Sequence, residues 1–187
     1  MKIRHIACTT TLAVGLLLGA TACGGSDKKS LPPTDQPTTT TPKPTPTPVD
    51  PTVAAKAKII ADYKVFIDIQ TRGLVSNSPT FPFEQVMTGN ALASAKSVMG
   101  ASLLAGTRYS GSARFLRAEV SQLNLKAKPA TATVQACVFD GLKATSKKGK
   151  VTSLQDELSR HDQMMLIDGH WKATETTGLN KTQPGCA

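Results

Sequence analysis

The chain has 187 residues, with 22 Lys and Arg against 13 Asp and Glu for a net charge of +9, and only 4% aromatic residues. That length suits one domain with a real core. Sparse aromatics and the lack of a base-stacking set argue against nucleic acid as a partner. Four cysteines without a CxxC spacing argue against a redox catalyst, and three histidines, one of them at position 5, argue against a structural metal site.

The first element is a leader. Lys2 and Arg4 precede an apolar run from Leu12 to Leu18, and small residues follow in Gly19-Ala20-Thr21-Ala22. A charged start, a short apolar stretch and small residues before a cut read as a secretory signal peptide over 1–22. The run is too short to cross a bilayer, which takes about 20 apolar residues, and no later segment is longer. Cys23 stands at the cut and leads into Gly24-Gly25-Ser26-Asp27. This junction resembles the lipobox of bacterial lipoproteins, with Ala20 where that family prefers Leu. The resemblance implies that Cys23 is lipidated, becomes the first residue, and holds the protein on the outer face of the cell membrane. One acyl chain attaches marginally, at about 0.8 kcal/mol per buried methylene, whereas two or three hold. The alternative is an ordinary cleaved signal with a chance cysteine.

Residues 23–52 read as a disordered tether. Pro32, Pro33, Pro37, Pro42, Pro44, Pro46, Pro48 and Pro51 alternate with threonines, and almost nothing apolar offsets the entropy of ordering. Proline favours polyproline II, at about 3.1 Å per residue, so the segment has a reach of roughly 80 Å. Its Thr-Pro repeats are candidate O-glycosylation sites. Three aspartates and three lysines balance within 24–50. Loss of Lys2 and Arg4 with the leader leaves +7, all of it on the domain at 53–187. An exported basic domain suits an anionic envelope component, such as lipid headgroups or wall polymers, or an acidic protein partner, and the alternative is a solvated basic surface.

The domain opens with helices. Ile59, Tyr63, Phe66 and Ile67 share one stripe, which predicts a helix over 53–75 closed by Gly73. Asn77-Ser78-Pro79 and Phe81-Pro82-Phe83 interrupt it. Ala91, Leu92, Ala95, Val98 and Met99 predict a second helix that runs to about Leu104 and ends at Gly106. From Tyr109 the period becomes two. Leu116, Ala118 and Val120 alternate with polar residues, then Leu123 and Leu125 carry the other parity, so a bulge is expected at Ser121-Gln122. Lys128-Pro129 turns the chain into the alternating run Ala130 to Val138. Lys147-Lys148-Gly149-Lys150 predicts a tight turn, and Leu158 to Ile167 a long strand. Asp168-Gly169 predicts a hairpin, and Trp171 and Ala173 the return strand.

Helices followed by a meander of long strands give an α+β class. This order, with Tyr63 on the first helix, Thr88-Gly89-Asn90-Ala91-Leu92, Ala136-Cys137-Val138-Phe139-Asp140, Gly169-His170-Trp171-Lys172 and a final Cys186, resembles the nuclear-transport-factor-2-like (cystatin-like) superfamily. Small actinobacterial lipoproteins of that shape are the closer resemblance. It implies a cone of helices on a curved antiparallel sheet over 53–187, with a pocket at the open end. The superfamily hosts isomerases, dehydratases and hydrolases as well as binding modules, so fold alone does not decide function.

Enzymes of the superfamily place a carboxylate, histidine or tyrosine in that pocket. The candidates here are Tyr63, Asp140 and His161, with Asp68 and Asp162 further carboxylates. His161 and Asp162 are neighbours on one strand and face opposite ways. No nucleophile elbow or phosphate loop is present, no cofactor is expected, and no residue is assigned as catalytic. With Cys8 in the leader and Cys23 lipidated, Cys137 and Cys186 remain, and in an oxidising compartment they most simply form one disulfide. The alternative is two buried thiols. The functional expectation is an exported, lipid-anchored binding or accessory module. The alternative is a small-molecule enzyme using an Asp, Tyr or His acid–base.

Overall fold

The computed structural model describes residues 50–181 and Cys186. The expected signal peptide, Cys23 and the tether up to residue 49 lie outside the described residues. The first helix, α1, spans Pro51–Ser76. Its start follows from local chemistry. The Asp50 carboxylate accepts from the Thr52 amide at 2.7 Å, and Pro51 occupies the first turn, where its missing N–H costs nothing. Ile59, Tyr63, Phe66 and Ile67 form the buried stripe.

Gly73 does not close this helix, contrary to the sequence expectation. The helix continues to Ser76 and stops at Asn77, which takes the left-handed conformation at φ 50°. Gly73 is instead a close-approach residue. A Cβ there would fall 2.1 Å from Cε1 of Phe83 and 2.9 Å from Cδ1 of Phe81. The bare helix surface admits the two phenylalanines, whose rings are tilted by 57° with centroids 5.0 Å apart. A 3₁₀ turn at Phe83–Gln85 then leads to α2, Gly89–Leu104. Gly106, at φ 64°, ends α2 as expected, with its amide donating to the Leu103 carbonyl at 3.0 Å.

Five strands follow: β1 Arg108–Asn124, β2 Thr131–Thr145, β3 Val151–Ser153, β4 Asp156–Ile167 and β5 His170–Lys181. They form one antiparallel sheet in the order β1-β2-β4-β5, and the short β3 pairs with the far end of β2. β3 was not legible in the sequence, because three exposed residues carry no alternation. The two helices pack on one face of the sheet, so the class is α+β. Asp168 and Gly169 both have positive φ in the β4–β5 turn, as the hairpin motif requires.

β1 bends twice. The pairing slips between Val120 and Gln122, at the expected place, and also between Phe115 and Arg117. The second slip corrects the reading of Leu116. Phe115 takes the inward position, Leu116 becomes the extra residue at 40% exposure, and Ala118 and Val120 resume the inward row. The other edge of the sheet is covered. Val86 accepts from the Ala173 amide at 2.9 Å, and Thr88 donates to the Ala173 carbonyl at 2.8 Å. This parallel bridge occupies the free edge of β5.

Candidate functional site: a helix-covered cavity and the ionic cluster behind it

The inward face of β4 is apolar at Leu158, Met164 and Leu166, and it buries two charged residues at its middle. Arg160 and Asp162 sit two residues apart on the same face as Met164, and all three are buried. Asp162 accepts two parallel bonds from Arg160, at 3.0 Å from Nε and 3.1 Å from Nη2. Tyr63 on α1 donates its hydroxyl proton to the same carboxylate at 2.5 Å. Arg160 also donates to Gln70 Oε1 at 2.9 Å and to Thr176 Oγ1 at 3.4 Å, and lies 5.2 Å from the Phe66 ring centroid. Its strand neighbour on β2 is Ala136, a small side chain that leaves room for the guanidinium stem. Among the described residues, no buried side-chain nitrogen or oxygen lacks a partner.

These contacts set the protonation states. Burial raises the Tyr63 pKa far above the ordinary phenol range, the Asp162 charge and hydrogen bond add to this, and Arg160 opposes it. Tyr63 is therefore a fixed donor and not a base. Burial disfavours the charge on Arg160, but Asp162 and the groups around it outweigh that and raise its pKa. The cluster holds α1 to β4 and fixes Gln70 and Thr176.

Gln70 and Thr176 are also the link to a cavity of about 310 Å³ between α1, α2 and β5. Its other polar walls are Asn90, Ser94 and Glu175, and its apolar walls are Leu74, Phe83, Ala91, Ala95 and Val98. α2 faces the space with the small residues Ala91, Ser94 and Ala95, which is why room remains opposite Gln70 and Leu74 of α1. Glu175 lies on an exposed position of β5, next to the pairing slip between Gln163 and Met164. The cavity thus joins an apolar wall to amide, hydroxyl and carboxylate groups. It can hold a small amphipathic molecule, with Glu175 marking the wet end.

Of the sequence candidates, the structure brings Tyr63 and Asp162 together, and it leaves Asp140, His161 and Asp68 apart from them. Tyr63 is fully buried in the ionic cluster. Asp140 lies inside β2, which runs on to Thr145, and its carboxylate accepts from the Leu142 amide at 3.0 Å where the pairing of β2 passes from β4 to β3. His161 points to the opposite, helix-free face, where it lines a groove with Arg117, Glu119, Gln135, Ser159 and Cys186. Asp68 forms a surface ion pair with Arg72 at 2.8 Å. Sequence reasoning missed Arg160, Gln70 and Thr176. The signal available was a charge pair at i and i+2 on the apolar parity of a strand, a pattern that must be neutralised from another element.

Cys137 and Cys186 are joined as a disulfide, with α-carbons 5.7 Å apart. The bond lies on the helix-free face of β2, and Arg117 donates to the Cys186 carbonyl there. No family model and no curated protein matches the chain. The intermembrane space region of the chloroplast protein ARC6 aligns with a TM-score of 0.47 and 14% identity, over 72% of this chain and 100% of that one. Among the described residues, no helix is long and apolar enough to cross a membrane.

Proposed function

We propose that this chain is an exported, lipid-anchored envelope protein whose domain is a non-enzymatic binding module of the nuclear-transport-factor-2-like type. The anchor reading rests on the Ala20-Thr21-Ala22-Cys23 junction. The fold-family reading is supported by α1 lying along a sheet bent by two bulges in β1. The observation that carries the binding reading is how the titratable groups are used. Tyr63, Arg160 and Asp162 satisfy one another, whereas the adjoining cavity offers neutral polar groups, apolar walls and one carboxylate. Such a lining recognises shape and a few hydrogen bonds rather than supplying an acid–base pair.

The neutral apolar dye Nile red tests the cavity. It should bind saturably to the domain, and Ala95→Trp, which fills the space, should abolish binding, while Leu116→Ala on the bulge should not. Equal binding by the Ala95→Trp domain would sink the reading.

A further inference from the structure

We propose that the end of the sheet formed by the β2–β3 turn and the C-terminus of α2 docks on an anionic lipid surface. Five cations converge there. Arg108 opens β1, Lys143 lies on β2 opposite Ser153, and Lys147, Lys148 and Lys150 form the turn into β3. Lys147 packs beside Gly106 at the end of α2, so the turn and the helix end are contiguous. No Asp or Glu occurs between Glu84 and Glu119, or between Asp140 and Asp156. The ion pairs Lys58–Asp62, Arg72–Asp68, Lys96–Glu84 and Arg160–Asp162 include none of the five.

Apolar side chains protrude from the same patch. Leu104 is 93% exposed and shares a cavity wall with Arg108 and Lys147. Val151, 57% exposed, pairs with Thr145 beside them. Cations ringing protruding apolar groups match a headgroup layer over hydrocarbon: phosphates meet the charges while Leu104 and Val151 enter the acyl boundary. A soluble polyanion would use the cations and leave the apolar pair in water, so the lipid surface is the better occupant. The patch lies at the C-terminal end of α1, where Asn77 joins the same cavity. Asp50, at the other end of this 26-residue helix, is therefore about 39 Å away. At about 3.1 Å per residue, a polyproline II chain of 26 residues, the number between Cys23 and Asp50, would span about 80 Å, so the proposed anchoring at Cys23 is compatible with this end reaching the same bilayer.

Residues 46–187 form one compact unit that holds the described core, so the test uses this unit, which lacks Cys23. It is co-sedimented with phosphatidylcholine vesicles with and without 30 mol% (about one lipid in three) phosphatidylglycerol, across a salt series. Binding should need the anionic lipid and fall with salt. Lys147→Glu/Lys148→Glu/Lys150→Glu should weaken it by at least about tenfold. A Leu104→Trp unit should show quenching by brominated acyl chains, which reports insertion directly. These substitutions are exposed, and an unchanged far-UV spectrum checks the fold. Undiminished binding by the triple variant overturns the proposal. So does an unquenched Leu104→Trp, or equal affinity for soluble polyglycerol phosphate, which would assign the patch to a polyanion.

Discussion

Asp162 is the residue on which most depends. It is fully buried and accepts three hydrogen bonds, two from Arg160 and one from Tyr63. Removing one partner of a buried pair strands the other. Arg160→Met should therefore cost about 3–5 kcal/mol in urea unfolding, and the double variant Arg160→Met/Asp162→Leu should cost less than the single. A double variant as unstable as the single would contradict this account. Tyr63→Phe leaves Arg160 in place and should cost only about 1–3 kcal/mol. Tyr63 also gives a pH dependence of known sign. Burial raises its folded-state pKa, so the neutral phenol is the form the fold accepts. Its contribution is fully present below the unfolded-state value of about 10 and is lost as pH rises above that. Between pH 9 and 11 (about a unit either side of that value) the wild type should lose more stability than Tyr63→Phe, as read from urea midpoints.

At the scale of elements, two glycines in helices should respond in opposite directions to the same change. Gly100 has open space around the position of an added Cβ. Gly100→Ala in α2 should gain about 0.5–1 kcal/mol from helix propensity. Gly73 faces the Phe83 ring, and Gly73→Ala should lose about 1–3 kcal/mol despite the same propensity gain. Paired denaturant titrations check both, and a stabilising Gly73→Ala would mean that the Phe81–Phe83 segment yields easily. The helix stripe of Ile59, Tyr63, Phe66 and Ile67 was legible because its period depends on backbone geometry alone. Gly73 was misread as a stop because the aromatic pair it admits arrives from eight and ten residues further along. Leu116 was misread because alternation cannot show which of two adjacent apolar residues, Phe115 or Leu116, is the extra one in a bulge.

For the whole molecule, the disulfide and the anchor make separate predictions. Cys137 and Cys186 are 49 positions apart, and closing a loop of that size stabilises by about 4 kcal/mol at most in the chain-entropy model. Cys137→Ser/Cys186→Ser should lower unfolding stability by about 2–4 kcal/mol while the sheet persists, since the core lies on the other face. A loss too small to resolve would leave the bond as decoration. The Cys23→Ser precursor should appear in the soluble fraction of the exporting cell, whereas the wild type sediments with membranes. An unmodified mature N-terminus other than Cys23, by mass spectrometry, would contradict the anchor.

The sequence by itself determined the helix stripe, the end of α2 at Gly106, the Asp168-Gly169 hairpin and the bulge beyond Val120, while it left the last two cysteines either paired or as buried thiols. Each of the four rests on local backbone preference. Only the tertiary structure decided what the charged and polar side chains do. Arg160, Asp162, Tyr63, Gln70 and Thr176 come from three separate elements, and their meeting depends on the register of β4 against β5 and on the rotation of α1 over the sheet. The five cations at the β2–β3 end likewise become one patch only when the β1–β2 pairing brings Arg108 opposite Thr145. Side-chain identity sets what a group can do. Long-range packing sets which partner satisfies it, and no local pattern contains that information.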